Sequence, residues 1–314
     1  METAVYKNLT QTRLADIREL LRGGELVAFP TETVYGLGAL FSHEAGIQGV
    51  YRVKGRPADN PLIVHVSSSA MMQSLIAPSK LQERRLEALA PFFPGPLTVV
   101  LPAPPALQGR PGLQGGTIAI RMPSHPIAMS LIAFLQEPLV APSANLSGRP
   151  SPTSAGAVLE DLEGKIPLLL DGGVCTIGLE STVLDLSSSD PQVLRPGSIT
   201  CEMLSTALGC TVPLVRKPSS LSPGGRYPHY APKACVVLFT SLDEVRAFDQ
   251  ESTLFLSYRE PVLAGFEGFR KKNLYALFRK ADKMNKKTVA IYVDGAVLRD
   301  DALMNRITKA AQSG

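Results

Sequence analysis

Between residues 211 and 234 the chain carries Pro213, Pro218, Pro223, Gly224, Gly225, Pro228 and Pro232, and no amphipathic period survives there. Proline fixes φ and removes a backbone donor, so such a stretch belongs neither inside a helix nor in a central strand. It divides the sequence into units at 1–210 and 235–314. A connection of about 24 residues is several times the usual length, so it either has a role of its own or is disordered.

Both flanking units alternate strand and helix signals. In the first, strands are expected at Glu25–Phe29, Leu62–Val66, Leu97–Leu101, Thr117–Arg121, Leu139–Ala141, Leu168–Leu170, Thr182–Leu186 and Gln192–Leu194. A helix carrying Leu14, Ile17, Leu20 and Leu21 precedes them, and others are expected near 43–53, 80–90, 126–136, 154–162 and 199–208, with Ser124 capping the third of these. Irregular spacing, and two consecutive strands near 182–194, favour a mixed, twisted sheet over a simple doubly wound one. In the second unit, strands at Val236–Thr240, Thr253–Ser257 and Val289–Val293 alternate with helices at 242–249, 272–285 and 301–311, the pattern of a small parallel sheet.

Composition narrows the function classes. Hydrophobic residues make up 45% and charged residues 19%, which suits a globular fold. The net charge of +4 is too mild to mark a nucleic-acid binder, though it permits a local basic pocket. No apolar run approaches a membrane span, and the N-terminus lacks a signal-peptide pattern. The four cysteines have no metal-ligand spacing, so reduced thiols in a cytoplasmic protein are expected. The phosphate-loop, dinucleotide, zinc-protease and serine-hydrolase motifs are all missing from the sequence.

What remains is a series of polar, Gly- and Pro-shaped strand ends. Pro30–Gly38 places Thr31, Thr33 and Tyr35 directly after a strand. Lys54, Arg56 and Asn60 sit in a loop stiffened by Pro57 and Pro61, just before His65. Arginine offers a planar fork and lysine a mobile point charge, so this loop suits phosphate oxygens. Arg121 ends an apolar strand, where a guanidinium needs an anion: a ligand carboxylate or an internal salt-bridge partner. Ala141–Thr153, with Ser143, Asn145 and Ser151, is dense in hydroxyls and amides before a helix, and the pattern returns at Gly178–Thr182 and Arg195–Gly197. Each has an ordinary reading as a capped turn or solvated helix end, and His65 could be a plain core histidine. Five within one unit point to a shared pocket.

At these strings the sequence resembles a known family. Pro-Thr-Glu-Thr-Val-Tyr-Gly-Leu-Gly at 30–38, Lys54-x-Arg56 with Asp59-Asn60 and His65, Gly116–Arg121, Ser143-x-Asn145 with Ser147-Gly148, and Glu180-Ser181-Thr182 resemble the YrdC-like family over about 10–209. Ser222-Pro223-Gly224, His229-Tyr230-Ala231-Pro232 and Asn305-Arg306-x-x-Lys309 resemble its two-domain form. The implied fold is α/β: a YrdC-like twisted mixed sheet with helices, plus a small Rossmann-like C-terminal domain. The implied activity is synthesis of L-threonylcarbamoyl-AMP and pyrophosphate from L-threonine, bicarbonate or CO2, and ATP with Mg2+. The product would pass to other proteins that modify tRNA to N6-threonylcarbamoyladenosine, with little or no direct tRNA binding and no membrane.

The resemblance places Lys54, Arg56, Asn60, Thr117, Ser143, Asn145, Ser151, Arg195 and Tyr230 around ATP, with Lys54 and Arg56 catalytic, and Thr33, His65, Arg121 and Ser181 around threonine. It leaves the metal ligands unassigned, with Asn145 a further nucleotide or metal contact. It also makes 218–233 a lid over the nucleotide. Serine, lacking one methyl, should react roughly 10–200-fold less well than threonine. Two other readings stand beside it. One is a carbamoyl-adenylate-forming enzyme. The other is an RNA-binding module built on the basic run Arg270, Lys271, Lys272, Arg279, Lys280, Lys283, Lys286 and Lys287, for which a solvated helix face is the plainer explanation.

Overall fold

The computed structural model describes residues 2–215, 221 and 229–312. The first unit is built on ten strands: β1 (Ala4–Tyr6), β2 (Val27–Phe29), β3 (Gly36–Leu40), β4 (Ile63–His65), β5 (Leu97–Pro102), β6 (Thr117–Arg121), β7 (Leu139–Val140), β8 (Leu168–Leu170), β9 (Thr182–Asp185) and β10 (Gln192–Arg195). They form one sheet in the order β1-β8-β2-β3-β7-β4-β6-β5-β9-β10. Parallel pairs (β4 with β6, β5 with β9) mix with antiparallel ones (β3 with β7, β5 with β6).

Side-chain alternation explains the layering. Val27, Phe29, Leu168 and Leu170 pack on the helices Gln11–Arg22 and Pro126–Leu135. Their neighbours Ala28 and Leu169 face the opposite core, with Ile47 and Val50 of helix Glu44–Lys54 and Val158 of helix Ala155–Leu162. Both faces are covered, so these short strands are continuously apolar rather than alternating. The β4-β6-β5-β9 half differs. One face joins the same large core through Val64, Ile120 and Val99. The other presents Ile63, Ala119, Val100 and Val183, against which the linker residue Leu221 packs. Polar residues of the site lie on this second face.

The second unit is a wholly parallel sheet, β11 (Cys235–Phe239), β12 (Thr253–Tyr258), β13 (Phe266–Phe269) and β14 (Thr288–Tyr292), in the order β11-β14-β12-β13. Helices Leu274–Lys283 and Asp301–Ala311 pack on one face. Val34 and Leu179 of the first unit belong to that same core, so the two units share buried side chains.

Several elements depart from expectation. β1 and β13 are short edge strands that the sequence pattern did not reveal. β3 contains Gly36 and Gly38, which weaken its strand signal. The packing requires at least the second, since a Cβ on Gly38 would lie 2.8 Å from the Phe29 ring. Residues 242–247 form a 3-10 turn instead of an α-helix. Ser124 is not the cap of its helix. His125 is, accepting from the Ile127 amide through Nδ1, while the Ser124 amide donates to Glu32.

Candidate active site

The period of two that fills the sheet face with apolar side chains also places the polar ones. His65 follows Ile63 by two residues, Arg121 follows Ala119, and Thr98 and Ser181 precede Val100 and Val183 by two. All four belong to the face whose apolar cluster, among the described residues, includes none from a helix. Register sets His65 beside Arg121 and Arg121 beside Thr98, with cross-strand neighbours about 5 Å apart. Arg195 reaches this group by another device. Val193 faces the large core, so alternation alone would turn Arg195 the same way. A bulge between Val193 and Arg195 makes Arg195 the partner of Val183 and re-aims it. Its Nε donates to the Ser181 carbonyl at 3.1 Å and its Nη2 to Ser181 Oγ at 3.2 Å.

One cavity collects His65, Arg121, Ser181 and Arg195, with Thr98 behind Ser181. It is lined by Thr33, His65, Arg121, Ser181, Arg56, Ser143, Arg195 and Tyr230 from the expected set, together with Thr31, Tyr35, Glu180 and His229. Arg56 enters after Gly55, which ends helix Glu44–Lys54 at φ 60, a conformation glycine adopts without strain. Its guanidinium folds back on the Asn60 side-chain oxygen at 2.6 Å and the Pro61 carbonyl at 2.8 Å. Asn60 therefore supports Arg56. Burial pulls the Arg56 pKa down to about 10, which leaves it charged at neutral pH. Thr31 donates to the Val34 carbonyl at 2.7 Å, so Thr33 donates to Thr31 across their 2.8 Å contact.

His65 is neutral. Burial, then the charge of Arg121, lowers its pKa to about 3, so its Nδ1–H donates to the Ile63 carbonyl at 3.1 Å. His229 is held neutral in the same way, by burial and then by Arg56 and Lys54, also at about 3. Arg121 has the internal partner anticipated as its alternative, Glu32 Oε1 at 2.7 Å. Burial works to raise the Glu32 pKa, but Arg121 outweighs it and the net shift is downward. Arg121 uses Nη2 for this pair and Nε toward the Gly95 carbonyl at 3.4 Å. No contact among the described residues uses Nη1.

Other expected residues lie behind the wall. Lys54 is buried, and its ammonium donates to the carbonyls of Ser143 and Asn145. It holds that loop and is not among the residues that line the cavity. Asn145 donates to the carbonyls of Leu146, at 2.7 Å, and Arg149, at 2.9 Å. Ser151 donates to Glu180. Thr117 shares the sheet face, but stands at the other end of β6, about 13 Å along the strand from Arg121, with its hydroxyl on the Gln114 carbonyl at 2.7 Å. Of the lid expected at 218–233, residues 218–220 and 222–228 lie outside the described residues, as does Ser222-Pro223-Gly224. His229 and Tyr230, at its end, do line the cavity.

Glu32, Glu180, Tyr35 and His229 also line or border the cavity, and no local signal in the sequence marks their roles. Glu180 accepts hydrogen bonds from Ser151, from Tyr275 at 3.0 Å and from Arg306 at 2.7 Å. Burial would raise its pKa, yet Arg306 and Arg195 hold it down at about 2. Nothing in the sequence linked it to residues more than ninety positions away. Among the described residues no group of three or more His, Cys, Asp or Glu could hold a metal ion, and Glu32 and Glu180 are both engaged by arginines. The described residues thus offer no carboxylate cage for magnesium.

The basic run at 270–287 is largely paired. Arg279 is buried against Asp161 at 2.9 Å, while Lys271 meets Asp300, Lys280 meets Glu267 and Lys283 meets Glu160. This pairing fits the plainer explanation, a solvated helix face.

Fold and site together define a two-unit α/β protein with an arginine-rich cavity on an open sheet face. Residues 19–197 match the Sua5/YciO/YrdC family model, described as telomere recombination, and residues 199–312 match the threonylcarbamoyl-AMP synthase C-terminal domain. The Bacillus subtilis threonylcarbamoyl-AMP synthase is 46% identical over 230 residues, 71% of this chain and 65% of that protein. The Pyrococcus abyssi enzyme is 47% identical over 244 residues, 74% and 70% of the two chains. A crystal structure of P. abyssi Sua5 complexed with L-threonine superposes with a TM-score of 0.86 at 34% identity, covering 99% of this chain and 98% of that one. The chain belongs to the two-domain threonylcarbamoyl-AMP synthase family.

Proposed function

We propose that this cavity joins L-threonine, bicarbonate or CO2, and ATP into threonylcarbamoyl-AMP, releasing pyrophosphate. The observation that carries the reading is the convergence of Arg56, Arg121, Ser143 and Arg195, from four separate chain segments, on one cavity. The threonine amine adds to CO2 and gives up a proton to solvent, forming a carbamate; from bicarbonate the same step releases water. A carbamate oxygen attacks the α-phosphorus, and the pyrophosphate oxygen departs with the bond's electron pair. No protein nucleophile is needed, and catalysis rests on alignment and on charge stabilisation. Arg56 and Arg195 face the phosphates, whose negative charge relieves the burial of both guanidinium groups. Arg121 binds the threonine carboxylate through the edge that Glu32 leaves open. His65, neutral and fixed through Nδ1, packs beside it, and Thr33 and Ser181 add hydroxyls. Lys54 and Asn145 shape the Ser143 loop. Mg2+ arrives on the triphosphate as part of the substrate.

Threonine as substrate is supported by the P. abyssi complex, and the tRNA-modifying setting follows from the reaction. We place the activity in the cytoplasm, consistent with four free cysteines. The test is pyrophosphate release by the full chain with ATP. It should require threonine and bicarbonate together. Release indifferent to either one overturns the reading.

A further inference from the structure

Arg306 belongs to helix Asp301–Ala311 of the second unit, yet it is fully buried and reaches three pieces of the cavity wall. Its Nε donates to Glu180 Oε2 at 2.7 Å, and its Nη1 donates to the Pro196 carbonyl at 3.0 Å and to Asn305 Oδ1 at 2.8 Å. The guanidinium carbon lies 5.1 Å from the centroid of the Tyr230 ring. Glu180 precedes Ser181, Pro196 follows Arg195, and Glu180, Ser181, Arg195 and Tyr230 all line the cavity. Tyr275, from the same unit, donates to Glu180 and stacks on Tyr230 at 5.7 Å. The approach is close at the backbone as well: a Cβ on Gly178 would stand 2.3 Å from the Lys272 Cα.

These contacts give Arg306 a different role from the cavity arginines. Glu180 matches its charge, so it is no anion receptor. A planar fork of five donors holds several acceptors in one fixed arrangement, which an ammonium on a flexible stem cannot reproduce. We propose that Arg306 is a positioning residue for the adenylation reaction: through Glu180, Pro196 and Tyr230 it fixes Ser181, Arg195 and the nucleotide-side wall relative to one another, so that the second unit completes the active site from behind. This rests on the activity proposed above. Small displacements of aligned groups cost about a hundredfold in rate, so the second unit would be needed for turnover even where it touches no substrate.

The test uses the full-length chain with Arg306→Lys, Arg306→Gln, Glu180→Gln, the Arg306→Gln/Glu180→Gln double variant and Arg279→Gln. The last breaks another buried contact between the units, to Asp161 and the Pro150 carbonyl. Thermal melting reports stability. Pyrophosphate release gives kcat and the KM for threonine and for ATP. Arg306→Lys should keep the fold, lose about a hundredfold in kcat/KM and raise the threonine KM at least tenfold. The double variant should be no worse than the poorer single variant, because the two groups act as one unit. Arg279→Gln should lower the melting temperature but keep the threonine KM within threefold.

Arg306→Lys with unchanged KM and kcat overturns the proposal, as does an equal kinetic loss in Arg279→Gln, which would mean general docking of the units. Should Arg306→Gln fail to fold, Arg306→Lys decides alone. Absence of threonine-dependent release in the unaltered protein would instead overturn the activity itself.

Discussion

Arg56 and Arg279 are both buried, and they are compensated in opposite ways. Arg279 meets Asp161 and Glu160 across the two units. Arg56 meets only neutral oxygens among the described residues, those of Asn60 and Pro61. Burying a guanidinium is costly unless an opposite charge accompanies it. Where the chain supplies the carboxylate, the arginine ties structure together. Where it supplies only neutral acceptors, the charge is left for an anion in the cavity, the role proposed above for the phosphates of ATP. Arg121 lies between the two cases, with Glu32 on one edge and the cavity on another.

Four measurements would break or sharpen this contrast. The largest effect is expected for Arg279→Gln, which leaves Asp161 short of a buried partner. Breaking such a pair costs about 3–5 kcal/mol, with Arg149 retaining some of Asp161's compensation, and chemical denaturation should read it directly. A stability close to wild type would mean the pair is not structural. Arg56→Gln should do the reverse, keeping the fold while lowering kcat/KM by about 10²–10³, the usual loss for one preorganised charge donor. A melting temperature that falls while turnover holds would exchange the roles of the two arginines.

The third measurement concerns acid. The Glu180 pKa is depressed in the folded state to about 2, so its stabilising contribution is present above the ordinary carboxylate range and lost as pH falls from there toward about 2. Melting temperature followed from pH 6 to pH 3 should fall less steeply in Glu180→Gln than in wild type. Parallel curves would show that the carboxylate is not coupled to folding. The smallest effect belongs to Lys280, whose pair with Glu267 is solvent-exposed. Lys280→Ala should change stability by less than about 1 kcal/mol and leave pyrophosphate release unaltered. A marked loss of either would return weight to the basic run as a functional surface.

How far the site was legible depends on the distance over which each residue acts. Thr33, His65, Arg121 and Ser181 sit at or beside strand ends, where period-two alternation and local polarity are visible in a few residues. Lys54 is ambiguous in sequence, because a lysine beside Arg56 looks the same whether it faces a phosphate or, as here, the carbonyls of Ser143 and Asn145. Arg195 was recognised as polar after a strand, but the bulge that turns it into the cavity is a property of pairing with β9. Glu180, Tyr275 and Arg306 could not be joined in advance, since their contacts span 95 and 126 positions.

By itself the sequence determined the break at 211–234, the alternation of elements on each side and the polar strand ends, because proline stereochemistry, hydrophobic period and turn chemistry are all local. Tertiary structure alone decided which buried charges face carboxylates and which face a cavity. That choice depends on desolvation and on partners brought together only when distant segments pack, and no window along the chain contains both halves of such a pair.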